Sequence, residues 1–196
     1  MTRLVLIRHG RTAWNTQGRM QGRADRPLSA AGRRQVGAWT VPETWRDYDW
    51  ITSPLRRTRD TAKMLIGHVP PLDSRLIEMS WGRWEGRRLK DLRAEMGEAF
   101  DRMAARGIEF QRPGGESPRQ VQRRLRPLLA EIADRRRPTV GVTHRGVLRA
   151  VYAEAVEWDM TGGPPHELHD DCAQVFSLDE DARCRVARLN VCLRAP

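Results

Sequence analysis

The stretch Leu4-Val5-Leu6-Ile7-Arg8-His9-Gly10 lies near the start of the sequence and decides how the rest is interpreted. A short apolar run such as residues 4–7 is typical of a strand buried in a sheet. In open α/β sheets, ligands bind at the carboxyl ends of the strands. The sequence therefore predicts that Arg8 and His9 stand at a functional edge of the sheet, where Gly10 allows the chain to turn sharply.

The rest of the sequence alternates between strand and helix patterns. Alternation of this kind indicates an α/β domain whose sheet is covered by helices on both faces. We expect residues 1–196 to form a single three-layer α/β/α sandwich with a mostly parallel central sheet, and its last two strands are compatible with an antiparallel edge. The predicted strands cover residues 3–8, 49–52, 138–143, 172–178 and 184–192, and helices are predicted over about 29–40 and 146–155, among others.

Serine followed by proline marks two further helix starts. Ser53-Pro54 predicts a helix that continues through Leu65, and Ser117-Pro118-Arg119-Gln120 forms a capping box at the start of another. Pro127 falls inside the latter helix and is expected to kink or shorten it. Residues 87–115 are charged and helical in their first half, and we expect them to form an inserted lid over the strand ends.

The composition, with 39% hydrophobic and 31% charged residues, is typical of a globular protein. The sequence shows neither a membrane-spanning run nor a signal-peptide pattern, so we expect a cytoplasmic location and no membrane partner. The three cysteines are odd in number and too widely spaced for a metal motif, and we expect them to stay reduced.

The net charge of +10 raises the question of nucleic-acid binding. Basic residues are spread along the whole chain, and the longest run is Arg135-Arg136-Arg137. Two tyrosines and three phenylalanines are few for a surface that stacks on bases. We therefore expect no specific nucleic-acid partner, and an attraction for small anionic molecules instead.

Five short motifs contain the candidate functional residues. Arg57 falls in the first turn of a helix that follows a strand, and a helix N-terminus with an added guanidinium attracts anions. His144, like His9, comes directly after a predicted strand. The motifs are Arg8-His9-Gly10 with Asn15, Ser53-Pro54-Leu55-Arg56-Arg57-Thr58, residues 76–86 around Glu78, Pro113-Gly114-Gly115-Glu116-Ser117, and Val142-Thr143-His144-Arg145-Gly146.

Taken in this order, the motifs resemble the histidine phosphatase superfamily, the phosphoglycerate mutase-like group, over nearly the whole chain. Residues 8–35 are similar to its phosphatase branch, with Gln21-Gly22, Asp25, Pro27-Leu28 and Gly32 in the expected places. The resemblance implies a phosphomonoesterase that acts on a small-molecule phosphate ester. It implies that His9 is the nucleophile that becomes phosphohistidine and that Glu78 donates a proton to the leaving oxygen. By the same resemblance, the transferred phosphoryl group is bound by Arg8, Arg57 and His144, with Asn15 as a helper.

These residue types suit the chemistry. Phosphoryl transfer needs positioning and neutralisation of charge, which two guanidiniums and an imidazole supply without a metal. Arg8 and Arg57 disfavour protonation of His9, and desolvation under a lid that contains Trp81 and Trp84 would raise the pKa of Glu78 in the direction that an acid requires. We expect no cofactor and no metal, because His166 and the residues around it lack the remainder of a metal site.

Three alternatives stay open. A cofactor-dependent phosphoglycerate mutase is the nearest, although the chain is short for one and lacks an arginine-rich insert with Pro-Pro before the second histidine. A protein that binds a phosphorylated ligand without turnover is disfavoured by the intact His9, Glu78 and His144, and a nucleic-acid-binding module by the dispersed charge. Arg11 stands where Glu or Gln is common in the family. The sequence leaves open whether the protein is a monomer or a homodimer.

Overall fold

Five strands form the central sheet of the computed structural model, which describes residues 1–193. Each strand lies within one residue of its predicted bounds, which confirms the strand assignments. The strands are β1 (Thr2–Arg8), β2 (Asp49–Thr52), β3 (Thr139–Thr143), β4 (Cys172–Leu178) and β5 (Cys184–Cys192), and their order across the sheet is β2-β3-β1-β4-β5.

The sheet is mixed, so the prediction of a mostly parallel sheet was wrong in this detail. Strands β2, β3 and β1 are parallel, whereas β4 is antiparallel to β1 and β5 is antiparallel to β4. Ala173 pairs with Ile7 and Leu178 with Thr2, so β4 begins beside the carboxyl end of β1. The cause is the segment 156–171, which brings the chain back to that end before β4 starts. The short connection to β5 then permits only an antiparallel hairpin.

Helices cover both faces of the sheet, which confirms the three-layer α/β/α architecture. The helices are α1 (Ala13–Thr16), α2 (Ala30–Gly37), α3 (Arg56–Ile66), α4 (Leu89–Met96), α5 (Glu98–Ala104), α6 (Pro118–Arg135) and α7 (Arg145–Ala155). Helices α6 and α7 share an apolar cluster with Leu4 and Leu6 on one face. Helices α2 and α3 share a second cluster with Val5 and Ile7 on the other face, as the alternation of side chains along a strand requires.

Two helix predictions need correction. Helix α3 begins at Arg56 with Leu55 as its N-cap, and no side chain caps it, because Ser53 forms a local turn with the Leu55 N–H and contacts His144 instead. The Ser117 capping box of α6 is present as expected. However, α6 is not shortened by Pro127, which lies on the exposed face where water can bond the carbonyl that proline leaves without a donor.

The segment 87–115 contains α4, α5 and a 3₁₀ turn at Gly107–Glu109, in agreement with its predicted helical first half. It has a small apolar cluster of its own, formed by Leu92, Phe100 and Phe110 with Met20 and Trp84. Its function as a lid stays a prediction. Within residues 1–193, no helix has both the length and the apolar character that a membrane crossing needs.

The contact between α2 and the loop after β1 gives a test of how the fold positions Arg8 and His9. A Cβ atom on Gly32 would lie 1.9 Å from the Arg11 carbonyl oxygen, and backbone cannot move aside cheaply. We expect Gly32→Ala to push α2 away from this loop and to lower the free energy of unfolding by about 2 kcal/mol, measured by urea denaturation.

Gly37→Ala is the matched control in the same helix. The nearest atom to a Cβ there is Met64 Cε at 3.9 Å, so the methyl group fits. Because alanine is the better helix former, this variant should be neutral or more stable by up to about 1 kcal/mol. Equal losses in the two variants would contradict the account of a close contact at Gly32.

Candidate active site

The carboxyl ends of β1, β2 and β3 meet at one edge of the sheet and carry the candidate site. Arg8 pairs with Thr143 and Thr52 pairs with Val142 in the parallel register. The next residues along the three strands, His9, Ser53 and His144, therefore come together at this edge. Their meeting agrees with the sequence-based expectation that functional residues follow the strands.

The Arg57 guanidinium lies between the two histidines. Its Nε atom is 3.2 Å from His9 Nε2 and 3.3 Å from His144 Nδ1, so one N–H is shared between two imidazoles. Its Nη1 and Nη2 atoms donate to the carbonyl oxygens of Ala24 and Gly22, at 2.9 and 2.8 Å. The side chain is fully buried. The side chain of the neighbouring Arg56 is exposed and lies near Asp60, so Arg57 and not Arg56 lies at this edge.

His9 has one unprotonated nitrogen that can act as a nucleophile. Its Nδ1 atom lies 2.7 Å from the Gly10 carbonyl oxygen, which only accepts hydrogen bonds, so Nδ1 carries the proton. Nε2 is then unprotonated and accepts from Arg57. Burial, followed by the charges of Arg8 and Arg57, holds the pKa of His9 well below its usual value of 6.5 and outweighs the bond to Gly10. The imidazole is therefore neutral, with its lone pair on Nε2.

His144 is also neutral. Its Nδ1 accepts from Arg57, and its Nε2 is 2.8 Å from Ser53 Oγ, to which it donates. Burial, and then the nearby charges led by Arg57, place its pKa well below 6.5. The Arg57 guanidinium thus faces one hydrogen-bond acceptor on each histidine, and both rings are held in fixed orientations.

Glu78 lies near these groups and has the opposite pKa shift. Its two carboxyl oxygens accept from the backbone N–H groups of Met79 and Gly146, at 2.8 and 3.3 Å. Burial raises its pKa above the usual 4.5, although the charge of Arg57 and the two backbone bonds oppose this. A Cβ on Gly146 would lie 2.4 Å from the Glu78 carboxyl, so residue 146, the second of α7, must be glycine for this contact to exist.

Arg8 forms an ion pair with Asp170, on the loop before β4. Its Nε atom is buried and has no hydrogen-bond partner. Arg8 therefore retains donors for a ligand even though Asp170 neutralises part of its charge. Both residues line a cleft of about 290 Å³, together with His9, Arg11, Asn15 and Arg145, among others.

Asn15 lines the same cleft but has one free group only. Its Oδ1 accepts from the Thr12 N–H at 2.9 Å in the capping box of α1. The amide NH₂ is then the part of Asn15 that can contact a bound anion.

Comparison with known proteins agrees with the geometry of the site. The profile of the histidine phosphatase superfamily (branch 1) matches residues 4–191. The chain belongs to the histidine phosphatase superfamily. The resemblance stated from the sequence is thereby confirmed.

Individual relatives of this histidine phosphatase carry phosphatase and mutase names. A glucosyl-3-phosphoglycerate phosphatase of Mycobacterium tuberculosis is 36% identical over 181 residues, which cover 82% of this chain and 80% of that protein. Phosphoserine phosphatase 1 of Hydrogenobacter thermophilus is 31% identical, with 82% and 79% covered. A probable phosphoglycerate mutase of Klebsiella pneumoniae is 39% identical over a shorter stretch, 68% of this chain and 64% of that one.

The solved structures agree. A mycobacterial glucosyl-3-phosphoglycerate phosphatase in complex with VO3 matches with a TM-score of 0.78 and 32% identity, and all of both chains is covered. Together, the family and the relatives named phosphatases confirm the sequence prediction of a phosphomonoesterase. The site residues of this histidine phosphatase are nevertheless assigned from its own geometry, and their roles stay proposals.

Sequence reasoning missed Ser53 and Arg112. The sequence predicts Ser53 as a helix cap, whereas in the structure Ser53 orients His144. Glu85 accepts from the N–H groups of Arg23 and Ala24, and so orders the loop whose carbonyls hold Arg57. Arg112 is buried beside Trp81, and nothing in the sequence separates it from the many other arginines.

His166 bonds the Tyr152 hydroxyl, and residues 1–193 contain no cluster of His, Cys, Asp and Glu side chains that could hold a metal ion.

Proposed function

We propose that this histidine phosphatase hydrolyses phosphate monoesters of small metabolites in two steps, through a phosphate group carried on His9 Nε2 and without a metal ion. The observation that carries the proposal is the state of His9. Its proton is held on Nδ1 by Gly10, and its bare Nε2 lies 3.2 Å from a buried guanidinium. A neutral imidazole with one nitrogen fixed by a backbone carbonyl is the form that can attack phosphorus.

In the first step, the phosphate monoester binds with its phosphorus atom in front of His9 Nε2. Arg8 and Arg57 donate to the non-bridging oxygens, and the Arg57 Nε–H moves from His9 Nε2 to one of these oxygens, which frees the lone pair for attack. The Asn15 amide adds a further contact, and His144 adds one when its proton is on Nδ1 and not on Nε2. The bond from Nε2 to phosphorus forms as the ester bond breaks, and Glu78 gives its proton to the leaving oxygen. The raised pKa of Glu78 favours the protonated form that this step needs.

In the second step, water replaces the alcohol. Glu78, now a carboxylate, accepts a proton from the water as its oxygen attacks phosphorus, and the bond to Nε2 breaks. Inorganic phosphate leaves, His9 is neutral again and Glu78 is protonated again. His9 and Glu78 thus serve in both steps: His9 accepts and then releases the phosphoryl group, and Glu78 donates and then accepts a proton.

The charges available explain why we expect no metal requirement. The non-bridging oxygens of a phosphate dianion meet two guanidiniums, which stay charged at any physiological pH. In many phosphoryl-transfer enzymes, metal ions supply this neutralisation.

A cytoplasmic location is the matching expectation for the compartment. The three cysteines form no disulfide, although Cys172 and Cys192 occupy facing positions on the neighbouring strands β4 and β5. Unbridged thiols so placed suit a reducing environment.

The experiment that tests the function is a hydrolysis assay on p-nitrophenyl phosphate and a panel of phosphorylated metabolites, with and without EDTA. We expect phosphate release that EDTA leaves unchanged. His9→Ala should lose at least about 10³-fold in kcat, because no other group can form the intermediate. His68→Ala, at an exposed histidine, is the control and should keep full activity.

Product analysis separates hydrolysis from the mutase alternative. With 3-phosphoglycerate as substrate, we expect inorganic phosphate and glycerate as the products. If isomerisation to 2-phosphoglycerate is the main reaction instead, the protein is a mutase and the proposed hydrolysis is wrong. A His9→Ala variant that folds and still turns over would contradict the role of His9.

The role of Glu78 has a separate test in the leaving group. An alkyl alkoxide needs a proton to depart, whereas p-nitrophenolate does not. Glu78→Gln should therefore lower kcat/KM for an alkyl phosphate by about 10²-fold or more, and that for p-nitrophenyl phosphate by much less. The quantity to compare is the ratio of the two losses. Equal losses on both substrates would show a disturbed pocket and would remove Glu78 as the acid.

A further inference from the structure

Two of the three cysteines face each other across the antiparallel hairpin that ends the sheet. Cys172, the first residue of β4, pairs with Cys192, the last residue of β5. The Leu193 N–H donates to the Asp171 carbonyl oxygen at 3.3 Å, one residue outside the pair on each strand. This bond makes the two cysteines a non-hydrogen-bonded pair, the kind in which facing side chains come closest together.

This placement puts the two thiols within reach of a disulfide. The facing Cα atoms of a non-hydrogen-bonded pair lie about 4.5 Å apart, which falls within the span of about 4.4 to 6.8 Å that a disulfide bridges. Facing residues of an antiparallel pair also direct their side chains to the same face of the sheet. The Cys192 thiol is close enough to Cys172 to act on its pKa. The hairpin therefore holds the two sulfur atoms side by side.

The two thiols differ in exposure, and this difference sets the order in which they react. Cys192 is exposed, whereas Cys172 is only 5% exposed. Burial, followed by the charge of Asp171 and then by Cys192, raises the pKa of the Cys172 thiol to about 11. Because the thiolate is the form that oxidants attack, Cys192 meets an oxidant first and Cys172 is protected from direct attack.

The third cysteine lies too far away to take part. Cys184 is the first residue of β5, about 26 Å along the strand from Cys192. It is buried opposite Leu178, and burial raises the pKa of its thiol to about 12. Of the three cysteines, all of which belong to residues 1–193, Cys172 is therefore the one that can reach an oxidised Cys192 of the same chain.

We propose that Cys172 and Cys192 form a reversible disulfide when the protein meets a peroxide, with Cys192 as the thiol that is oxidised and Cys172 as the thiol that resolves it. In the first step, the Cys192 sulfur takes one oxygen from hydrogen peroxide, becomes a sulfenic acid and releases water. In the second step, the Cys172 sulfur attacks the sulfenic sulfur. The S–S bond forms, the S–O bond breaks, and the hydroxyl group leaves with the thiol proton as a second water. The two sulfurs lose two electrons in total, which the peroxide gains.

The disulfide protects an exposed thiol from permanent damage. A sulfenic acid without a neighbouring thiol reacts further with peroxide to sulfinic and sulfonic acids, which thiol reductants do not reverse. A disulfide, in contrast, is reversed by thiol exchange. Cys192 faces a residue two positions after Asp170, the partner of Arg8. Resolution by Cys172 thus keeps a permanent negative charge away from the segment that contacts this arginine.

The test treats the reduced protein with a few equivalents of hydrogen peroxide, blocks the remaining thiols with an alkylating agent and maps the peptides by mass spectrometry. In the wild type we expect a cross-linked peptide pair that joins Cys172 to Cys192, about 2 Da lighter than the two reduced peptides. The protein should remain a monomer on a non-reducing gel, and dithiothreitol should restore both thiols.

Three variants separate the two thiols. Cys172→Ser removes the resolving thiol, so the Cys192 peptide should gain about 32 or 48 Da, which dithiothreitol does not reverse. Cys192→Ser should leave the buried Cys172 thiol reduced at the same dose of peroxide. Cys184→Ala is the matched control and should form the cross-link as the wild type does.

Several results would overturn the proposal. One is a wild type in which Cys192 gains oxygen without the cross-link, and another is a disulfide between two copies of the chain. A third is a Cys192→Ser variant whose Cys172 is oxidised as fast as in the wild type. The peptide map of the wild type decides even if a variant does not fold. None of these measurements depends on hydrolysis of a phosphate ester, so the outcome is separate from that of the proposed function.

Discussion

The shared N–H of Arg57 between His9 and His144 is the interaction on which the rest of the site depends. A buried guanidinium is costly unless its donors are satisfied, and here the remaining donors reach the carbonyls of Gly22 and Ala24. Those carbonyls are held in place by Glu85, which bonds the loop from the other side and leaves no space for a Cβ at Gly22. The loop, the arginine and both imidazoles therefore form one connected unit.

This arrangement sets the protonation states that phosphoryl transfer needs. A cation beside His9 and His144 keeps both neutral, and burial acts in the same direction. Burial also favours the neutral form of Glu78, so its pKa rises while that of His9 falls. A dry site thus shifts the nucleophile His9 and the acid Glu78 toward their uncharged, reactive forms, by lowering one pKa and raising the other.

The sequence allowed prediction of the parts that depend on local pattern. The strands, the placement of His9 and His144 after β1 and β3, and the placement of Arg57 in the first turn of α3 all follow from apolar runs and helix starts. The mixed sheet, Ser53 and Arg112 could not be predicted in this way. Each depends on where a loop brings the chain in space, and loops such as 156–171 carry no periodic signal that would indicate their path.

The most direct test of this account is the titration of His9, followed by ¹⁵N NMR on histidine-labelled protein and assigned with a His9→Gln variant. Because its pKa is lowered, His9 should remain neutral as the pH falls through 6.5, with the proton on Nδ1 and Nε2 bare. Protonation of His9 near pH 6.5, or a neutral form with the proton on Nε2, would contradict the account that Arg57 and Gly10 prepare this nitrogen for attack.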